Sequence, residues 1–89
     1  MIWYTYTLYN KDLNKFYIGF TNNLKRRLKE HRCKKTHTTS RMTGWKLVYY
    51  EACLSKRDAQ KREKQLKTGF GRGYLKRRLV SYFAGVAQW

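Results

Sequence analysis

Apolar and polar residues alternate along three stretches of the chain and recur at helical spacing in three others. Ile2 to Tyr9, rich in Tyr, Trp and Thr, reads as a strand. Asn10-Lys11-Asp12-Leu13 is a turn-like break, and Asn14 to Phe20 reads as a second strand. A four-residue loop joins the two as a hairpin. With Tyr9 paired to Asn14, Tyr6 falls opposite Tyr17, with Cβ atoms about 5 Å apart on one face. Gly19 to Asn23 is a turn carrying capping residues, and Leu24 to about Arg32 predicts a helix. Leu24, Leu28 and His31 share its stripe, and Arg27 lies on the same side. Residues 33 to 44 are polar, basic and aperiodic, hence a loop. Trp45 to Ala52 alternates as a third strand.

Ser55-Lys56-Arg57-Asp58 resembles a capping box with Asp in the place of Glu or Gln, and a helix follows to about Lys67. Ala59, Glu63 and Leu66 share one face of it. Gly69 reads as its C-cap, with Gly71 and Gly73 marking a turn. A last helix runs from about Tyr74 to Phe83. It turns Leu75, Leu79, Tyr82 and Phe83 inward and Lys76, Arg77 and Arg78 outward. The order ββαβαα is α+β, a small three-stranded antiparallel sheet flanked by helices. At 89 residues, one domain spanning 1–89 is the natural reading.

Charge narrows the function. The chain holds 21 Lys plus Arg against 5 Asp plus Glu, a net +16. Such an excess repels itself in the compact state unless a polyanion relieves it. Nucleic acid fits best, because the basic residues interleave with aromatics. An anionic membrane is the competitor, but the longest mostly apolar stretch, Leu79 to Trp89, is too short to span a bilayer. Three Trp, eight Tyr and four Phe supply core material that disordered basic tails lack. Two cysteines, Cys33 and Cys53, are too few for a disulfide framework, and with no signal peptide opening the chain they point to the cytoplasm.

Five carboxylates are available for catalysis. Asp12 falls in a turn, Asp58 in a cap, Glu30 off the apolar stripe and towards solvent, and Glu51 at a strand end. Glu63 sits on a core-facing helix side. It is either a salt-bridge partner or a lone ligand for Mg²⁺, which often takes one or two carboxylates and keeps its waters. Arg27 is either a buried ion pair or a phosphate clamp. His31 either compensates the helix dipole or carries a proton. Tyr6 and Tyr17 are either core aromatics or phenols that surrounding cations bring towards ionisation. His31, Cys33, His37 and Cys53 match no common zinc spacing. Gly69-Phe70-Gly71-Arg72-Gly73 lacks the ending of a P-loop.

Together these residues resemble a known family. Tyr4-Thr5-Tyr6, ten residues, then Tyr17-Ile18-Gly19 resembles the GIY-YIG nuclease signature. Phe20 to His31 resembles the segment with the family's arginine and nearby histidine, Trp45 to Glu51 its third strand, and Ala59 to Lys67 the helix with its metal-binding glutamate. Lys67 to Arg72 resembles the ending of small stand-alone members similar to the UvrC nuclease domain. The resemblance covers Tyr4 to about Leu79. It implies a sandwich around a three-stranded sheet and an endonuclease that hydrolyses phosphodiesters, with DNA as the expected substrate. One divalent metal, Mg²⁺ or Mn²⁺, would assist a tyrosine-activated water. By position, Tyr6, Tyr17, Arg27, His31 and Glu63 become catalytic, Glu63 the metal ligand and Gly19 the turn glycine.

Two departures stand out. The first motif lacks its Gly and Ile, and no Asn follows Asn23, where many members use a late one. Larger relatives carry a separate DNA-binding domain, so targeting here falls to this surface or to a protein partner. The surface contacts expected are Lys25, Arg26 and Lys29 on the first helix, Lys34 and Lys35 in the loop, and Lys76, Arg77 and Arg78 on the last. The rival reading is a basic nucleic-acid-binding module that kept the fold without the chemistry.

Overall fold

In the computed structural model, which describes residues 1–32 and 44–84, the first strand takes the centre of the sheet. β1 spans Trp3–Asn10, β2 Lys15–Thr21 and β3 Trp45–Cys53, in the order β2-β1-β3. Both pairings are antiparallel. The helices are α1 Leu24–Arg32, α2 Lys56–Leu66, α3 Gly69–Arg78 and a short α4 Val80–Phe83. The expected α+β order therefore holds, with the last helix arriving in two pieces.

The hairpin is shifted from the expected register. Asn10 stays in the strand opposite Lys15, so Tyr6 pairs with Gly19 and Tyr17 with Leu8. The turn chemistry explains the shift. The Asn10 side chain accepts the Leu13 N–H at 3.1 Å, and the Asn14 N–H bonds back to the Lys11 carbonyl at 3.3 Å. Asn14 closes the turn at φ 52, a left-handed conformation that Asn tolerates. Because the side-chain period is 2 and the registers differ by two positions, Tyr6 and Tyr17 still share a face.

The two sheet faces carry different helices. On one, α1 lays its His31 and Arg27 against Tyr6. Asn23 caps this helix, its Oδ1 accepting the Arg26 N–H at 3.0 Å. On the other face the Thr5 hydroxyl donates to the Ala59 carbonyl at 3.0 Å, and Ile18 packs with Leu66 and Leu75. Ser55 caps α2 as expected, accepting from the Asp58 N–H. β3 carries a bulge where β1 steps from Thr7, opposite Tyr49, to Leu8, opposite Leu47.

The glycine stretch is not a turn. Gly69, Gly71 and Gly73 all lie in α3, Thr68 stands at its N-cap position, and Lys67 is the C-cap of α2. A Cβ at Gly71 would fall on the Leu66 carbonyl, so glycine lets the start of α3 press on the end of α2. This contact, invisible to local propensity, makes a helix of a segment whose glycines read as a break. At the chain's far end Phe83 is buried against Tyr9 and Phe16, whereas Tyr82, expected inward, is 41% exposed.

Candidate active site

Tyr6 lies at the centre of the sheet, 1% exposed, with its ring over Gly19. A Cβ built on Gly19 would stand 2.5 Å from the Tyr6 hydroxyl oxygen. The glycine therefore leaves the space that the phenol occupies, and the sheet register, not a turn, is what requires it. Gly19→Ala should shift the hydroxyl by enough to misalign it. The overpacking should cost about 1–3 kcal/mol of stability. The melting temperature of the variant checks this, and an unchanged value would show that the ring relocates without consequence.

Two groups from α1 meet the Tyr6 hydroxyl. Arg27 Nε donates to it at 3.2 Å, and His31 Nε2 lies 3.0 Å away. Arginine has no acceptor, so the phenol oxygen accepts from Arg27, and it donates its own proton to His31 Nε2 when that nitrogen is bare. This arrangement requires the His31 tautomer with its proton on Nδ1. Burial pushes the Tyr6 phenol up to about 12, against the opposing Arg27 hydrogen bond. The expectation that nearby cations bring this phenol towards ionisation is thus corrected: desolvation outweighs the guanidinium. Burial also lowers the His31 pKa, and the Arg27 charge lowers it further against the opposing Glu30 carboxylate, which favours the neutral imidazole. The Tyr6 hydrogen bond is also the leading cause of a raised Arg27 pKa.

Tyr17 stands diagonally from Tyr6, its ring 6.3 Å from that of Tyr6 and 5.0 Å from His31. Glu30, expected to face solvent, instead accepts from Arg27 Nη1 at 3.1 Å and is only one-third exposed. Its position off the apolar stripe is real, but the long arginine folds back to it across one helical turn. Glu63 arrives from α2, on the other layer. Its side chain is 17% exposed and pairs with Lys67 Nζ at 3.3 Å, yet its charge contributes to raising the Tyr6 pKa.

The remaining candidates divide. Lys25, Arg26 and Lys29 are exposed on α1, and Arg77 and Arg78 are exposed on α3, where Lys76 is partly buried. Lys34, Lys35, Cys33 and His37 lie outside the described residues. Cys53 donates to the Ser55 carbonyl, and no group of three His, Cys, Asp or Glu gathers for a metal among the described residues. One carboxylate suits Mg²⁺ or Mn²⁺ with a water shell, and does not suit a structural zinc.

Sequence reasoning missed a second polar cluster. Arg62 Nη2 and Nε grip the Glu51 carboxylate at 2.8 and 2.9 Å, Tyr49 donates to the same group at 2.8 Å, and Arg62 lies 4.6 Å over the Tyr74 ring. Burial pushes the Glu51 carboxyl up, but the hydrogen bonds from Arg62 and Tyr49 outweigh it and leave its pKa below the ordinary value. The cluster ties α2, which carries Glu63, to β3. The alternation of β3 sets Tyr49 and Glu51 on one face, a signal that was present in the sequence.

A buried tyrosine over a glycine, with arginine and histidine one helical turn apart on its hydroxyl, defines a class. The chain belongs to the GIY-YIG family: the model described as the GIY-YIG catalytic domain matches residues 2–78. That family is one of nucleases. Among its small members the chain is 44% identical over 66 residues to a UPF0213 protein of Clostridium perfringens, covering 72% of this chain and 69% of that one. It is 42% identical over 74 residues to a UPF0213 protein of Limosilactobacillus reuteri, covering 73% and 70%. The solution structure of a UPF0213 protein from Bacillus halodurans matches with TM-score 0.51 and 33% identity over 96% of this chain and 88% of that one. Among the described residues, no helix is long and apolar enough to cross a membrane.

Proposed function

We propose that this chain is a single-domain, cytoplasmic, divalent-metal-dependent endonuclease that hydrolyses DNA phosphodiesters. The observation that carries the reading is the Tyr6 hydroxyl held between Arg27 Nε and His31 Nε2. Tyr6 takes a proton from the attacking water as it hands its own to His31 Nε2, so no free phenolate is needed. The water oxygen attacks phosphorus, and the P–O bond to the leaving ester oxygen breaks, that oxygen taking a proton from solvent. Arg27 gives Nε to Tyr6 and one Nη1 proton to Glu30 and also interacts with the Tyr17 hydroxyl, and its remaining N–H groups stabilise charge on the phosphate. Tyr17 packs against His31 and orients the imidazole. Glu63 would hold a Mg²⁺ or Mn²⁺ ion, which would supply electrostatic stabilisation at the phosphate. The exposed cations of α1 and α3 hold the strand.

The experiment is metal-dependent nicking of supercoiled plasmid by pure protein. Binding without any cut in Mg²⁺ or Mn²⁺ would select the non-catalytic module. Glu63→Gln should abolish cleavage while binding survives, because the amide keeps the shape and loses the charge that a metal needs. A role confined to the Lys67 pair predicts the reverse, a lower melting temperature with undiminished activity per folded molecule.

The proton relay also sets the pH dependence. His31 accepts only when neutral, and its pKa is lowered, so the rate should fall at acid pH, below the ordinary imidazole value of about 6.5. From pH 7 to 9 it should be flat, because Tyr6 stays protonated throughout. His31→Gln should remove the acid limb with a rate loss of roughly two to four orders of magnitude. A wild-type rate still climbing tenfold per unit at pH 9 would move the limiting proton to a group of much higher pKa.

A further inference from the structure

Two grooves flank the open edge of the sheet, one at each end of β2. At its start a groove of about 600 Å³ is lined by Lys15, Phe16, Tyr17, Lys67, Thr68 and Arg72, among others, with no acidic residue in its wall. At its end a cleft of about 280 Å³ is lined by Phe20, Arg26, Arg27, Lys56 and one carboxylate, Glu30, among others. Tyr17 lines the first, which lies on the α2 and α3 side of the sheet, and Arg27 lines the second, so each groove includes one residue of the candidate cluster. β2 is an edge strand of seven residues, roughly 20 Å long at strand rise. That length matches about six nucleotides at B-form rise.

We propose, on the basis of the nuclease reading, that the strand being cut runs along β2, with its phosphates on one side of the scissile bond seated at Lys15, Lys67 and Arg72. Only Arg26 and Arg27, at the opposite end, were foreseeable as contacts; Lys15, Lys67, Arg72 and Lys56 are new assignments. Two of the cations are already held in place. Arg72 lies 5.4 Å over the Phe16 ring and donates to Asn14 Oδ1, and Lys67 is tethered to Glu63. Fixing a long cationic side chain before binding lowers the entropy lost on association. Guanidinium and ammonium groups in a wall without carboxylates suit backbone phosphates, which carry no sequence information.

The test compares Lys15→Ala/Arg72→Gln with Lys61→Ala/Lys64→Ala, an equal loss of charge at exposed α2 positions outside both grooves. Binding to a short DNA duplex is measured across salt, and cleavage of the same duplex in Mg²⁺. The groove variant should lower the salt slope by about 2 and raise KM roughly 10- to 100-fold with a much smaller change in kcat. The α2 variant should change both far less. Equal effects in the two variants would overturn the proposal, leaving the cations to act only through the general field. A single methylphosphonate placed on the side of the cut that contacts the groove should weaken wild-type binding and have little further effect on the variant. Losses that simply add would likewise overturn it. Lys15→Glu, an exposed strand-end change, repeats the comparison if Arg72→Gln lowers the melting temperature. If the wild type cuts nothing yet the salt slopes differ as expected, the nuclease reading has failed and the groove as a nucleic-acid site stands.

Discussion

Tyr6→Phe should cut the nicking rate by roughly two to four orders of magnitude, the range for loss of a general base. The variant removes one oxygen and keeps the ring, so the tilted contact with Tyr17, the edge-on contact with His31 and the fit over Gly19 survive. Stability will not be wholly untouched. His31 is 7% exposed, and removing the hydroxyl leaves its Nε2 without that partner. An unsatisfied buried group costs about 1–3 kcal/mol. DNA affinity should stay within a few-fold of wild type, since no phosphate contact is assigned to the phenol. Folding, binding and single-turnover cleavage on one preparation check the three parts. Wild-type cleavage by the Phe variant would reduce Tyr6 to a core aromatic and move the chemistry to Tyr17 or His31.

Arg27→Ala should cost a similar two to four orders of magnitude in rate, and binding should weaken as well. The difference in cause is what separates the two variants. Arg27 is a donor to the phenol, a partner of Glu30 and a candidate phosphate ligand at once. Arg27→Lys should rescue little. An ammonium cannot reproduce the planar fork that reaches Tyr6 through Nε and Glu30 through Nη1 in the same plane. Its loss also relieves His31 of a neighbouring positive charge, so the acid limb of the Arg27→Ala pH profile should move to higher pH. An unmoved limb with a lowered rate would show that the histidine being titrated is not the one beside Arg27. Full binding and full cleavage in Arg27→Ala would leave the arginine a structural partner of Glu30.

The alternation of β1, β2 and β3, the stripe on α1 and the Ser55 cap are local properties of the chain, set by side-chain period and capping chemistry, and the sequence determined them alone. They were enough to place Tyr6 and Tyr17 on one sheet face and Arg27 and His31 on one helix side. What the sequence left open turned on contacts between distant segments. The hairpin register depended on which of Asn10 and Asn14 closed the turn, and that choice put Gly19, not Tyr17, beneath the Tyr6 ring. The glycines of α3 read as a break until the close approach of Gly71 to Leu66 gave them a reason to be helical. Glu30 and Glu51 read as bystanders because ion pairs form across space that periodicity does not describe. The sign of the Tyr6 pKa shift belongs here too. Cationic neighbours can be read from composition, but burial cannot, and in this site burial is the larger force.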